Sequence, residues 1–274
     1  MSLDSQVQGL PPALDVIGAT ARITLRRPQK MNKLTAVDLR VLQSHCEQID
    51  ADQSIRVVVL SADTTGQKKP VFCAGFDVDG FDADEHDPRL FEQTIDRLAE
   101  LRPVLICALN GSVFGGATDM VLASDLRIGL SDLVFKMPAL SLGLHYYPSG
   151  MKRYVQSFGL ERARQAFLSA RPFSAEQLQT FGILMEIHGQ DVFNEALAKL
   201  VQEVAALAPL AAQLTKRSLA EIASEDADMA QLRARELLCL QSSDFAEGRT
   251  AFAERRVRQV KAAWPGAQVK PAVL

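Results

Sequence analysis

Two glycine-centred turns carry the residue types best suited to chemistry in this chain. The first is Phe72 to Asp77, which reads FCAGFD, and the second is Asn110 to Ala117, which reads NGSVFGGA. Each follows an apolar segment typical of a buried strand, and the second opens into a helical stretch. Glycine lets backbone N–H groups point freely into a cavity, and a helix start adds partial positive charge there. Two N–H groups directed at one point would stabilise an oxyanion, so the pair of turns predicts a reaction centre.

Side chains that could move protons lie shortly after the second turn. Asp119 follows Gly116 by three residues, where it either stabilises a helix N-terminus or exchanges a proton with a substrate. The run His145-Tyr146-Tyr147 could donate a proton or provide aromatic packing over an apolar ligand.

Two other candidate chemistries are disfavoured by the sequence. Cys73 could be a nucleophile, but no histidine lies near it in the sequence. The acidic segment 77–87 contains His86, yet it lacks a calcium-loop pattern and is typical of a solvated loop. No metal site is therefore predicted.

The elements that must position these residues follow from periodicity. Residues 14–25 indicate a hairpin around Gly18, and a capping-box-like start at Thr35 precedes a helical pattern. Strand and helix patterns alternate to about residue 190, and then helices are predicted over 191–207, 209–224 and 228–246. The sequence predicts a flexible tail (1–13), an α/β core (14–190) and a C-terminal helical segment (191–274).

Bulk properties exclude several classes of partner. The formal charge of −3 and the pI near 5.9 give no broad basic field for nucleic acid or an anionic membrane. The four cysteines are widely spaced, which suits reduced thiols, and no apolar run reaches transmembrane length. These features favour a cytoplasmic protein.

The order of motifs resembles the crotonase superfamily, also called the enoyl-CoA hydratase/isomerase family. The matching elements are R-P-x-x-x-N at Arg27–Asn32, then F-C-A-G-x-D, then N-G-x-x-x-G-G, and the resemblance covers about residues 14–256. It implies an α/β fold, a crotonase-like spiral of ββα units, with a C-terminal all-helical trimerisation segment. It further implies a homotrimer or dimer of trimers, an acyl-CoA thioester substrate, a stabilised enolate, and no cofactor beyond the coenzyme A moiety.

The resemblance also assigns roles to individual residues. It implies that the N–H groups of Phe76 and Gly116 form the oxyanion hole and that Asp119 stands at the position of a catalytic glutamate. It implies catalytic assistance from His145 or Tyr146. The residues that it implies for coenzyme A binding, including two that would complete a neighbouring subunit's site, are Lys30, Met31, Ala74, Phe76, Gly116, Phe252 and Arg255.

One departure from the family pattern bears on the reaction. Ala139 stands where hydratases of the family carry a second glutamate, and hydration needs two groups, one for water and one for the α-proton. Isomerisation needs one proton-shuttling base, so it is favoured. Decarboxylation of a malonyl-type thioester comes second, because Tyr146 aligns with a tyrosine of family methylmalonyl-CoA decarboxylases, although these have a histidine where Phe76 stands. Hydration comes third, and a catalytically lapsed CoA-thioester binding protein stays open.

Overall fold

The computed structural model describes residues 9–77 and 87–257, and the strands within these ranges form two sheets. The strands are β1 (Leu10–Ile17), β2 (Thr20–Arg26), β3 (Val57–Ala62), β4 (Val71–Cys73), β5 (Val104–Leu109), β6 (Ser112–Phe114), β7 (Leu126–Leu130), β8 (Val134–Lys136), β9 (Phe173–Ser174) and β10 (Glu186–His188). The helices are α1 (Ala36–Ala51), α2 (Leu90–Ala99), α3 (Ala117–Leu122), α4 (Pro148–Ser169), α5 (Ala175–Thr180), α6 (Phe193–Ala205), α7 (Pro209–Ala223), α8 (Met229–Leu240) and α9 (Ser243–Ala253).

From β3 to β8, successive strands enter the two sheets alternately. The larger sheet has the order β1-β2-β3-β5-β7-β10, and the smaller has the order β4-β6-β8-β9. The chain therefore repeats a unit of one strand in each sheet followed by a helix, as in β3-β4-α2 and β5-β6-α3. Strands β4, β6 and β8 pair in parallel, so their carboxyl ends lie at one edge of the small sheet. This is the α/β fold with ββα units that the family resemblance implied.

The central strands of the larger sheet are buried on both faces, which explains why they are continuously apolar. In β3, Val58 and Leu60 contact the main hydrophobic core, whereas Val57 and Val59 pack with α6 residues such as Leu197. All six residues of this strand are buried. Such strands lack the apolar–polar alternation of a half-exposed sheet.

Local sequence signals for hairpin and helix starts are confirmed. Strands β1 and β2 form the antiparallel hairpin around Gly18, and Thr35 makes a reciprocal capping box with Asp38 at the start of α1. Strand β1 begins at Leu10, which shortens the predicted tail, and residues 1–8 lie outside the described residues. The helix predicted over 228–246 is two helices, because Ser242 caps a new one with its hydroxyl accepting from Phe245 N–H.

Membrane-spanning capacity is limited to one bent combination of helices. Within residues 9–77 and 87–257, no single helix is long and apolar enough to cross a bilayer. Helices α6 and α7, which meet at a bend of 100°, reach a sufficient length and apolar composition only when they are taken together.

Three buried thiols make the stability of the fold sensitive to alkaline pH. Burial raises the pKa of Cys46, Cys73 and Cys107 to about 12, from an ordinary 9.0. Above pH 9 the unfolded chain loses these protons while the folded chain keeps them, so the free energy of unfolding falls as pH rises. We expect a loss of roughly 1 kcal/mol per thiol for each pH unit between 9 and 12.

Urea unfolding of the wild type and a Cys46→Ala variant at pH 8 and pH 10 measures this effect. The variant is expected to be less stable at pH 8 because of the cavity, but to lose roughly 1 kcal/mol less than the wild type on going to pH 10. An identical pH-dependent loss in both proteins would contradict the prediction.

Candidate active site

The carboxyl ends of β4, β6 and β8 open into one cavity. Because these strands are parallel neighbours, the turns that follow them meet at the same sheet edge. The cavity has a volume of about 370 Å³ and a mainly apolar wall. Its lining includes turn residues from all three strands and side chains of α1 and α2, namely Leu39, Gly75, Phe76, Leu90, Phe91, Gly115, Gly116, Met137, Ala139, Leu142 and Leu144.

Backbone hydrogen bonds to the segment before α1 hold the first turn in place. Ala74 N–H donates to Met31 O at 2.9 Å, and Asp77 N–H donates to Leu34 O at 2.8 Å. Leu34 N–H in turn donates to Gly75 O at 2.9 Å. These bonds fix the peptide groups on both sides of Phe76, and Phe76 itself lines the cavity.

The second turn packs directly against the first. Gly75 has a φ of +94°, and a Cβ placed on it would lie 3.1 Å from Gly116 N and 3.0 Å from Phe114 O. Both the backbone conformation and this close approach therefore require glycine at position 75. A Cβ on Gly116 would lie 2.7 Å from the nearest atom of the Phe91 ring. The structure thus brings Phe76 and Gly116, predicted from sequence as a pair, to one cavity wall.

Asp119 does not face the cavity, in contrast to the expectation of a base in direct reach of substrate. Its side chain is 0% exposed, and both of its oxygens are bound by Arg153 of α4, with Nε–Oδ1 at 2.9 Å and Nη2–Oδ2 at 2.6 Å. Arg153 also reaches Asp96 of α2, with Nη1–Oδ1 at 2.7 Å. The carboxylate is thus held behind the cavity wall in a charged cluster that links three helices.

A pair of stacked tyrosines connects Asp119 to the cavity. Tyr147 Oη donates to Asp119 Oδ2 at 2.6 Å, and Tyr146 Oη donates to Tyr147 Oη at 3.0 Å. The two rings stack at a centroid distance of 4.2 Å, and both residues line the cavity. Gly150 makes room for them, because a Cβ there would lie 2.5 Å from the Tyr146 ring and 3.0 Å from Asp119 Oδ2.

Burial and charge keep the phenols of this pair protonated. Burial and then the negative charge of Asp119 raise the pKa of Tyr147, and burial followed by the neighbouring Tyr147 raises that of Tyr146. The neutral phenols can therefore donate hydrogen bonds at any ordinary working pH. They connect a sequestered carboxylate with a cavity that the carboxylate itself does not reach.

The other predicted catalytic residue and the position that departs from the family pattern also lie at the cavity. His145 is an exposed residue among its lining, and Ala139 forms part of the wall. Lys33 is a cation of the lining, and its Nζ lies 3.3 Å from Asp77 Oδ1. Alanine at position 139 gives this wall a methyl group and no group that could transfer a proton.

The residues predicted to bind coenzyme A are only partly brought together. Ala74 lines the cavity, whereas Lys30, Met31, Phe252 and Arg255 are not among the described residues that do so. Lys30 and Met31 are exposed in the segment before α1, next to the first turn. Phe252 is 87% exposed on α9, and Arg255 follows that helix, so their predicted role toward a neighbouring subunit stays a prediction.

The chemistries that the sequence disfavoured gain no support. Cys73 is fully buried, and its thiol donates to Asn32 O at 2.9 Å, which describes an inert core thiol. Across residues 9–77 and 87–257, no group of three or more potential metal-binding side chains is found. His86 and the acidic residues between positions 78 and 85 lie outside the described residues.

Sequence reasoning missed the cluster partners Arg153 and Asp96, and it considered Tyr147 only as part of the run 145–147 without assigning it a catalytic role. Tyr147 precedes Pro148, and this Tyr-Pro step marks the start of α4, so its position at a helix N-terminus was a usable signal. Arg153 lies 34 residues from Asp119 in sequence, and no local pattern connects the two.

Comparison with known proteins supports this fold and shows the family of the chain. A family model described as enoyl-CoA hydratase/isomerase matches residues 17–263. The methylmalonyl-CoA decarboxylase of Escherichia coli is 26% identical over 88% of this chain and 94% of its own. The 1,2-epoxyphenylacetyl-CoA isomerase of the same organism is 26% identical over 86% of this chain and 93% of its own. A crystal structure of an enoyl-CoA hydratase from Bacillus anthracis aligns with a TM-score of 0.82 at 24% identity, covering 92% of this chain and 99% of the other. These relatives differ in reaction, so the similarity does not select one.

Proposed function

Because the chain belongs to the enoyl-CoA hydratase/isomerase family, we propose that it processes an acyl-CoA thioester through an enolate and shifts a double bond along the acyl chain. The observation that carries the choice of reaction is the cavity wall at Ala139. Among the lining groups, Tyr147 is hydrogen-bonded to a buried carboxylate, Asp119, whereas His145 and Asp87 are exposed. One such hydrogen-bonded pair suffices to move a proton between two carbons, whereas hydration also needs a group that activates water.

The enolate would be stabilised by the two glycine-centred turns. We assign the N–H groups of Phe76 and Gly116 as the oxyanion-hole donors, since both residues line the same cavity. Backbone donors that are fixed before the reaction stabilise developing negative charge without reorganisation. The contact between Gly75 and Gly116 supports this assignment, because it holds the two turns at a fixed separation.

Decarboxylation of a malonyl-type thioester is the second candidate. It is supported by the placement of His145 and Tyr146 at the cavity, where either could donate to a departing carboxylate. The apolar ring of Phe76 at the wall and the absence of an unpaired lining cation among the described residues count against it, since Lys33 is paired with Asp77.

We also propose that α7, α8 and α9 contribute to contacts between subunits. Several large apolar side chains on these helices are more than half exposed in the single chain, namely Leu219, Ile222, Met229 and Phe252. Such a surface is typical of an interface, and a trimer agrees with the family.

The proposed reaction is tested by comparing three thioesters. Purified protein is incubated with a 3-enoyl-CoA, crotonyl-CoA and methylmalonyl-CoA, and the products are separated by liquid chromatography with mass detection. We expect conversion of the 3-enoyl-CoA to the 2-enoyl isomer at a rate at least about tenfold above either other reaction, a difference of about 1.4 kcal/mol in barrier.

Each other result has a defined meaning. Faster formation of 3-hydroxybutyryl-CoA from crotonyl-CoA would show that the Ala139 argument is wrong, and faster formation of propionyl-CoA would favour the decarboxylase. Binding of all three thioesters without any turnover would support a lapsed enzyme.

A further inference from the structure

We propose that Tyr147 is the catalytic residue that exchanges the proton with substrate and that the buried Asp119 acts through it. This inference rests on the proposed function and names the group that performs its proton transfer. Asp119 then does not contact the substrate directly, and the proton passes through two oxygen atoms, Tyr147 Oη and Asp119 Oδ2.

Accessibility is the first argument for the relay. Asp119 is 0% exposed, and Arg153 contacts both of its oxygens, so no cavity-bound carbon can approach the carboxylate directly. Tyr147 lines the cavity, and its hydroxyl oxygen lies 2.6 Å from Asp119 Oδ2. The phenol is therefore the described group that touches both the carboxylate and the space for substrate.

The hydrogen-bond inventory of the phenol supports this placement. An ionised carboxylate has no proton to give, so Tyr147 must donate to Asp119, and Tyr146 must then donate to Tyr147. A phenol oxygen accepts at two positions, and Tyr146 uses one of them. Within the described part of the chain no hydrogen bond occupies the other, which can receive a proton from a ligand in the cavity.

The charge balance of the cluster allows Asp119 to accept that proton. Arg153 is shared by Asp119 and Asp96, so the three groups carry a net charge of −1. Protonation of Asp119 makes the cluster neutral and leaves Arg153 paired with Asp96. A simple one-to-one buried pair would instead be left with an uncompensated positive charge, which is costly.

The proton transfers balance without any co-reactant. The proton on the substrate α-carbon moves to Tyr147 Oη as the phenol's own proton moves to Asp119 Oδ2. The C–H electron pair forms the enolate double bond, and the carbonyl π pair moves onto the thioester oxygen. In the second half Asp119 returns its proton to Tyr147, the phenol protonates the γ-carbon, and the double bond ends between the α- and β-carbons.

Exchange of the α-protons of butyryl-CoA in D₂O, followed by mass spectrometry, tests this inference. This saturated thioester reports proton transfer alone. We expect Tyr147→Phe to lower the exchange rate by at least about 10²-fold, the range of general acid–base catalysis. The matched control is Tyr154→Phe, which removes a buried phenol hydroxyl from the same aromatic cluster, where it bonds Thr118 Oγ1 at 2.5 Å. The control should stay within about threefold of the wild type, below 1 kcal/mol in barrier.

A double variant separates a relay from two independent effects. If Tyr147 and Asp119 act in series, Tyr147→Phe combined with Asp119→Asn should lose no more exchange than the worse single variant. Losses that multiply would overturn the relay, as would wild-type exchange rates in Tyr147→Phe. Calorimetric binding of butyryl-CoA and thermal unfolding of each variant show whether the site is still folded.

The proposed function and the relay fail in different ways. If the wild type exchanges no α-protons, the enolate chemistry is wrong and the relay falls with it. If the wild type exchanges them and Tyr147→Phe does so equally well, the proposed function stands and the relay alone is wrong.

Discussion

The Asp119→Asn variant is expected to lower α-proton exchange and isomerisation by about 10²- to 10⁴-fold, the span of a lost general base. The amide that replaces the carboxylate still accepts the Tyr147 hydrogen bond, but it cannot take up the proton that the phenol passes on. The measurement is kcat for the 3-enoyl-CoA reaction together with butyryl-CoA exchange in D₂O. Wild-type values in this variant would remove Asp119 from the mechanism.

The same substitution is also expected to destabilise the fold by about 3 kcal/mol, because it breaks a buried ion pair from one side. A matched control separates the two effects. Asp38 is another buried carboxylate that an arginine binds through two nitrogens, with Arg27 Nε–Oδ2 at 2.9 Å and Nη2–Oδ1 at 3.1 Å. We expect Asp38→Asn to lose similar stability but to keep kcat within about threefold of the wild type when both are assayed well below their melting temperatures.

The parts of the fold that the sequence predicted are those set by local signals. The hairpin depends on the turn at Gly18, and the start of α1 depends on Thr35 and Asp38, which are three residues apart. The continuous apolar runs of β3 and β5 indicated buried strands, because both faces of their sheet are covered. The break between α8 and α9 was missed because helical periodicity continues across it and only Ser242 marks the new start.

The sequence predicted the part of the candidate site that is formed by backbone groups. The glycine turns after β4 and β6 could be recognised because each is a short continuous motif next to a strand. Side-chain direction could not be predicted in this way. Whether Asp119 faces substrate depends on Arg153, which α4 brings from 34 residues away, and on the small Gly150 that allows two tyrosine rings into the space between.

These two kinds of information lead to different descriptions of the same residue. The motif alone places an acid at the position of a family glutamate, which implies direct contact with substrate. The described contacts place the Tyr147 ring between that acid and the cavity. Aspartate is one methylene shorter than glutamate, but this is no obstacle if the phenol carries the proton.

The Gly116→Ala variant is expected to lower butyryl-CoA exchange by about 10²-fold, the loss typical of one oxyanion-hole donor. The new methyl group would lie 2.7 to 3.3 Å from three atoms of the Phe91 ring, so either the ring or the second turn must move. Phe91 also packs edge-on against Phe76 and at a tilt against Tyr147, with ring centroids 6.0 and 5.9 Å away. A displaced ring would therefore disturb both the oxyanion hole and the proton relay.

A second substitution tells whether the clash is the cause. Phe91→Leu shortens the side chain that the new methyl group would meet, so Gly116→Ala with Phe91→Leu is expected to recover at least about tenfold of the lost exchange rate. The control is Gly248→Ala, where a Cβ would meet nothing within 4 Å, and its rate should match the wild type. Recovery in the double variant would mean that the position of the Gly116 amide limits the rate. Unchanged exchange in Gly116→Ala would mean that this amide does not stabilise the enolate, and the catalytic reading of the two turns would be wrong.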